Sequence, residues 1–351
     1  MKIRIITIHS IPNFGSVFQC YALCKYLKDQ GYGDVKVIDY TPKYFYPSSV
    51  KARLARLINF GNYKRRTKKF KEFTRKNIPM TDNVYLNIED LKSSGIDADV
   101  YIAGGDQLWN IYHDCGRDDA YKLVWTSGKK ISYGTSLGQA SFPDGALCEL
   151  AEKISDFSAV SVRESSSVEL LARKNVTAVH CVDPVFLLPA SEYEKFLTEI
   201  NEPRYLLVYL VTPSPLLDKA VDYLSKKYNL KVILCSGFSR KCRCDKFVKD
   251  AGPDEILSYI KNAEIVLSAS FHATAFSVMF KKQFFTILPD EHTNERITDF
   301  LSLQGLSDRI VTEKTVNENV LDRNIDYDAI SGYEEKILTS KDYLKNALTE
   351  S

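Results

Sequence analysis

The chain contains no apolar run approaching the ~20 residues needed to span a bilayer. Its opening, Lys2-Ile-Arg-Ile-Ile-Thr-Ile8, reads as a strand and has neither the apolar core nor the small-residue cleavage site of a secretory leader. The expected location is the cytoplasm. No paired CxxC occurs among the eight cysteines. Cys20, Cys24, Cys115, Cys148, Cys181 and Cys235 are scattered, and only Cys242-Arg-Cys244 is close-set, so a structural zinc site is disfavoured and free thiols in a reducing compartment are expected. The absence of GxGxxG and Walker fingerprints disfavours a bound dinucleotide and an NTPase. No HExxH, no Ser-His-Asp order and no pair of catalytic carboxylates can be picked out. There is no internal repeat and no low-complexity tract. No metal and no resident cofactor are expected.

What is present fits a globular α/β protein. At 351 residues the chain is long for one core and suited to two domains, and its 44% hydrophobic and 26% charged content is that of a water-soluble fold. Strand-like and helix-like segments alternate, which implies parallel sheets with helices on both faces. Lys2–Ile8, Val35–Asp39, Val100–Ala103, Lys130–Ser136, Ala159–Val162 and Ala178–Val182 read as strands of a first domain, 1–185. A linker is expected at 186–203. A second series over 204–310 has strands at 205–211, 231–235, 263–267 and 284–288, followed by a polar helical tail, 311–351.

A basic insertion, about 43–80, interrupts the first series. Between Lys51 and Lys76 eleven Lys or Arg face one acid, Glu72, so that this stretch carries +10 and the rest of the chain −8 within a net +2. Leu54, Leu57, Ile58, Phe60, Tyr63, Phe70 and Phe73 are interleaved. Two readings stay open: a solvated helical hairpin packed by its apolar side on its own domain, or a surface for an anionic membrane. No nucleic-acid motif accompanies the patch, and nucleic acid is not an expected partner.

Polar residues cluster just after strand ends, where open α/β sheets bind ligands. The loop His9-Ser-Ile-Pro-Asn-Phe-Gly-Ser16 enters a helix through Gly15. Ile102-Ala-Gly-Gly-Asp-Gln-Leu-Trp-Asn110 presents Asp106 and Asn110 after paired glycines, either as ligand groups or as a structural turn in which Asp106 caps amides. Arg163 follows a buried strand in Ser161-Val-Arg-Glu164; its charge requires a bound anion or an internal salt bridge to Asp183 or the Glu164 region. In Ser268-Ala-Ser-Phe-His-Ala-Thr-Ala-Phe-Ser277, Ser270 is placed to cap a buried helix and His272 falls in its first turn, where free N–H groups and the helix dipole favour anions. A buried structural histidine is the alternative.

These motifs, in this order from about residue 4 to residue 310, resemble those of the polysaccharide pyruvyl transferase family. Asn13-Phe-Gly-Ser-Val-Phe-Gln-Cys-Tyr-Ala-Leu23 is similar to its "NYGAVLQAYAL", and Gly104-Gly-Asp-Gln-Leu-Trp-Asn110 to its "GSDQVWN". Ser161-Val-Arg-Glu164, Asp183-Pro184 and Ser270-Phe-His-Ala-Thr-Ala-Phe-Ser277 are similar to "SVRE", "DP" and "SFHGTAFS", and Asn294 to Arg309 resembles "NxRI…LGLxDR". Two positions depart: Ala273 stands where glycine is usual, and Gly105 where serine is common. The resemblance implies two Rossmann-like domains facing a cleft, as in GT-B enzymes, and transfer of the pyruvyl group of phosphoenolpyruvate onto two sugar hydroxyls. It implies His272 and Arg163 as catalytic, with Arg163 gripping the donor. Asn13, Gly15, Ser16, Gln19, Gly104, Gly105, Asp106, Asn110, Asp183, Ser270, Phe271, Thr274, Asn294 and Arg296 would bind substrates. The implied partners are phosphoenolpyruvate and a glycan or lipid-linked acceptor, with an anionic membrane docked through 51–76. The oligomeric state stays open. A GT-B glycosyltransferase using a nucleotide sugar is the rival enzyme, and a silent scaffold or glycan-binding protein the rival from another class.

Overall fold

The computed structural model describes residues 1–46, 60–237, 240–288, 295–313, 316, 318–328, 330 and 333–349. Two compact units result, the first comprising Met1–Ser48, Thr74–Leu188 and Tyr333–Ser351, the second Ser49–Phe73 and Pro189–Gly332.

The first unit is built on β1 (Lys2–Ile6), β2 (Asp34–Tyr40), β3 (Met80–Tyr85), β4 (Val100–Ala103) and β5 (Lys129–Ser132), all parallel in the order β3-β2-β1-β4-β5. β6 (Ser161–Val162) and β7 (Val179–His180) pair beside β5 through bridges Ile131–Ala159 and Thr135–Val162. Residues 3–6 of β1 and all of β4 are buried on both faces, which is why they read as unbroken apolar runs rather than alternating ones. The first helix, Phe14–Asp29, is capped by Asn13, whose Oδ1 accepts from Gly15 N at 3.0 Å.

The second unit repeats the plan. β8 (Tyr205–Tyr209), β9 (Lys231–Cys235), β10 (Lys246–Val248), β11 (Ile265–Ser268), β12 (Gln283–Ile287) and β13 (Ile310–Val311) run parallel in the order β10-β9-β8-β11-β12-β13. This is the doubly wound order, and the direction of winding reverses between β8 and β11 as it does between β1 and β4. Gly252 and Pro253 open the helix Pro253–Asn262, as the proline predicts.

Two stretches leave the domain their sequence position suggests. The basic helix, Phe60–Asn77, packs its residues up to Phe73 on the second unit rather than staying an insertion of the first. Lys69 pairs with Glu255 at 2.6 Å, Arg65 with Asp250 at 2.5 Å, and the Phe73 ring meets Phe196 at 5.0 Å. The tail does not form one piece with the second domain: the helix Tyr333–Thr349 belongs to the first unit. There the Ser340 hydroxyl accepts from Val182 N at 2.9 Å, the Tyr343 hydroxyl donates to Ser132 O at 2.8 Å, and the Tyr333 ring packs against Phe186.

Candidate functional site

In each unit, polar side chains gather where the winding reverses. In the first, Gly104 N donates to Ile6 O at 2.9 Å and the Thr7 hydroxyl to Gly105 O at 2.8 Å, tying the ends of β1 and β4 together. A Cβ on Gly105 would lie 2.7 Å from Pro184 Cγ and 2.8 Å from Gln19 Oε1, so the absence of a side chain is a packing requirement of this chain. Asp106 follows with φ 84°, the left-handed region that costs an L-residue energy and concentrates at functional sites. Its carbonyl accepts from Leu108 N and Ser136 N at 2.9 Å, its Oδ1 from Gln107 N at 2.8 Å, and its Oδ2 from the Ser16 hydroxyl at 2.5 Å. Gln19 braces this corner: fully buried, it donates from Nε2 to the Thr7 hydroxyl at 2.8 Å and to Ser16 O at 3.0 Å. Asn110 is likewise turned inward. It donates to Gln107 Oε1 at 2.7 Å, accepts from Tyr112 N, and fills the space beside Gly138.

Arg163 forms the internal salt bridge that the sequence allowed, not an open anion clamp. Its guanidinium donates to Asp183 Oδ2, and its Nε lies 3.7 Å from Glu164 Oε1; all three residues are buried. Burial opposes the Arg163 charge, but Asp183, Glu164 and Asp106 more than offset it, and the pKa rises above its ordinary value. Asp183 also caps the turn Pro184–Leu187 through Val185 N at 3.0 Å. Glu164 accepts from Ser136 at 2.5 Å and Ser167 at 3.2 Å. Three carboxylates around one guanidinium leave the cluster net negative, which is unfavourable for a phosphate or carboxylate ligand. One arm of the Arg163 fork is committed to Asp183 within the protein.

Beside this cluster a cavity of about 270 Å³ opens, lined by Asn13, Ser16, Asp106 and Gln107 together with residues that sequence reasoning did not single out: Tyr44, Phe45, His113 and Asp114 among them. No short-range pattern marks Tyr44 or His113; only the sheet order brings their loops to one edge.

In the second unit, Ser268, the last residue of β11, donates to Tyr209 O at 2.8 Å and accepts from Ser270 N at 3.0 Å. Ser270 caps the helix Phe271–Met279 with its hydroxyl toward Ala273 N at 3.4 Å, and Thr274 donates to Ser270 O and meets the Thr286 hydroxyl at 3.0 Å. His272 is buried in the first turn, its ring edge-on to Phe271 at 5.2 Å. Phe271 also packs on Phe300 at 5.5 Å, and Arg296 precedes Phe300 by four residues, one turn back on the same face of the helix Glu295–Leu303. The structure thus groups Asn13, Gly15, Ser16, Gln19, Gly104, Gly105, Asp106, Asn110, Arg163 and Asp183 in the first unit and Ser270, Phe271, His272, Thr274 and Arg296 in the second. Asn294 lies outside the described residues. Among the described residues no group of three His, Cys, Asp or Glu is placed to hold a metal ion.

Two parallel sheets wound in the same order, each with its polar cluster at the reversal, make a GT-B-like α/β fold. The chain belongs to the polysaccharide pyruvyl transferase family, whose model matches residues 13–291, and it is accordingly a transferase of polysaccharide biosynthesis. Similar solved structures include UDP-N-acetylglucosamine 2-epimerase from Rickettsia bellii, with a TM-score of 0.60 and 12% identity over 100% of this chain and 97% of that one. The UDP-GlcNAc 2-epimerase of Methanocaldococcus jannaschii, in complex with UDP-GlcNAc and UDP, aligns with a TM-score of 0.54 and 15% identity over 100% and 94%. The S. aureus MnaA–UDP structure gives 0.56 and 10% over 100% and 99%. At these identities the likeness is one of fold. No curated protein matches the chain.

Proposed function

We propose that this transferase moves the enolpyruvyl-derived group of phosphoenolpyruvate onto two hydroxyls of a sugar, forming a pyruvate ketal in surface or exopolysaccharide biosynthesis. The observation that carries the reading is His272 in the first turn of a capped helix, with Arg296 on the neighbouring helix face. The donor brings a phosphate and a carboxylate, and this corner offers what such anions need: helix N–H groups, the positive end of a dipole, and a guanidinium. A sugar hydroxyl adds at C2 of the enol phosphate while a proton reaches the methylene carbon. The second hydroxyl then displaces phosphate, which leaves with the bond's electron pair, and its proton passes to a base. His272 serves these proton transfers or holds the phosphate. Arg163 acts as a positioning residue that fixes Asp183 and, through the Asp183-Pro184 turn, the wall against which Gly105 packs.

The deciding experiment is thermal unfolding with phosphoenolpyruvate or UDP-GlcNAc. A ligand at about 100 times its Kd stabilises the folded state by roughly 2.7 kcal/mol. Phosphoenolpyruvate is expected to stabilise the wild type, and Arg296→Ala to lose the effect. Stabilisation by UDP-GlcNAc alone would transfer the assignment to a nucleotide-sugar glycosyltransferase. Turnover of His272→Ala should fall at least about a hundredfold if the imidazole moves protons.

The same reading gives the basic helix a task at an anionic membrane carrying the acceptor. Such contact would be mainly electrostatic: Phe70 and Phe73 are buried in the protein, and Phe60 is the exposed apolar side chain of the described helix. Leu54, Leu57 and Ile58 lie outside the described residues. Among the described residues no helix is long and apolar enough to cross a membrane.

A further inference from the structure

We propose that the cavity of the first unit is a binding site for an uncharged sugar ring, with Tyr44 and Phe45 as its apolar wall and Asp106 and Asn13 as its hydrogen-bonding side. This deepens the reading above and rests on it for the acceptor's role, but the site is argued from its own chemistry.

A pyranose is amphipathic. Its ring faces carry C–H groups and its rim carries hydroxyls. A complementary site needs an aromatic or aliphatic surface and a few fixed polar groups. The cavity has both: the rings of Tyr44 and Phe45 with Ile8 and Ile11, and opposite chemistry from Asn13, Ser16, Asp106 and Gln107. Its volume, about 270 Å³, lies at the lower end of small-molecule sites (~300 Å³ upward) and suits one ring rather than a nucleotide sugar.

Asp106 is the group that gives the site direction. It is only 7% exposed, yet it borders the cavity, and its backbone is held in a left-handed conformation by two hydrogen bonds to its carbonyl. Each carboxylate oxygen has one protein donor, Ser16 on Oδ2 and Gln107 N on Oδ1. A carboxylate oxygen has about two acceptor sites, so each can also take a sugar hydroxyl. Tyr44 is fixed in turn by donating its hydroxyl to Asp118 Oδ2 at 2.7 Å, which leaves its ring, not its polar tip, for the cavity wall.

Charge then selects the class of sugar. The described lining residues include two carboxylates, Asp106 and Asp114, one imidazole, His113, and no Lys or Arg. Arg163, the buried cation nearby, is spent on Asp183. An anionic ring such as a uronic acid would bring a further carboxylate to a site whose neighbouring cations, Arg117 and Arg163, are already paired with Asp114 and Asp183, whereas an uncharged ring meets no such penalty. The site thus separates an uncharged acceptor from the trianionic donor by charge alone.

The test is saturation-transfer NMR with the methyl glycosides of glucose, galactose and mannose, and with methyl glucuronide, on the wild type and on Tyr44→Ala, Phe45→Ala and Asp106→Asn. Near-ultraviolet circular dichroism establishes that each variant is folded, and phosphoenolpyruvate thermal shifts run in parallel. At least one neutral glycoside should bind, the glucuronide should not, and Asp106→Asn should weaken binding about tenfold or more. Tyr44→Ala and Phe45→Ala, which leave the carboxylate in place, should weaken it independently. The inference is overturned if no neutral glycoside binds, if the glucuronide binds equally, or if folded variants bind as the wild type does. Loss of the phosphoenolpyruvate shift with sugar binding intact would instead remove the donor assignment and leave the cavity assignment standing.

Discussion

At Arg163 the protein surrounds one guanidinium with Asp183, Glu164 and Asp106. Truncating it leaves buried carboxylates without their counter-charge, and breaking a buried pair in this way costs about 3–5 kcal/mol. Arg163→Ala is therefore expected to show a large fall in urea midpoint in the absence of any ligand. Unchanged ligand-free stability would return Arg163 to the role of a donor clamp. Sequence alone left both options because the partner is 20 residues away and only the β6–β7 register brings it home. His9 and Asp39 form a second pair, Nε2 to Oδ1 at 3.1 Å. Burial opposes ionisation of Asp39, but the His9 ring, the Thr41 hydroxyl and the Arg75 charge prevail, and its carboxyl lies below its ordinary 3.8. A folded value below the unfolded one means stabilisation that is complete above the unfolded value and lost as the pH falls through the folded one. Melting temperature plotted against pH should therefore drop below about pH 4, and less steeply in Asp39→Asn.

At the scale of elements, the clearest strands in the sequence are those whose residues are largely buried, such as Val100–Ala103 and Lys231–Cys235. Those that sequence pattern misses, Met80–Tyr85, Lys246–Val248 and Ile310–Val311, each lie at the edge of a sheet and are short or polar, so that little local pattern marks them. The helix start at Ser270 was legible from its capping side chain, whereas Asn13, also a side-chain cap, was not read as one. In the basic helix Phe70 and Phe73 face inward, while Lys64, Lys68, Lys71 and Arg75 recur at intervals of four, three and four as one exposed stripe. Glu72, 3.7 Å from Lys68, is the acid beside it. Vesicles containing phosphatidylserine should co-sediment the protein at low salt and release it near 0.5 M, with Lys64→Gln/Lys68→Gln/Lys71→Gln/Arg75→Gln weakening retention; salt-independent retention would rule out the stripe as the cause (roughly 1 kcal/mol per cation is expected).

For the whole molecule, alternation of strand and helix foretold two doubly wound sheets, because that pattern is local. The membership of the basic helix and of the last helix was not legible, since it depends on contacts such as Lys69 with Glu255 and Tyr343 with Ser132 that no local periodicity encodes. Cysteine is distributed with the same economy of exposure. All eight are free and Cys148 alone is exposed; burial pushes Cys24, Cys115 and Cys235 up to about 12. A disulfide reagent should modify one thiol of the native protein quickly and the remainder only on unfolding. Rapid modification of two or more would contradict this burial.

The helix Tyr333–Thr349 also sets an order of events during synthesis. Tyr343 bonds to a residue 211 positions earlier, and Ser340 receives the Val182 amide, so the first unit leaves the ribosome without its closing piece. At 5–20 residues per second, ~10–40 s pass between translation of β5 and of this helix. The 189–332 portion of the second unit is made during that interval, and the unit begun first is the last to be completed.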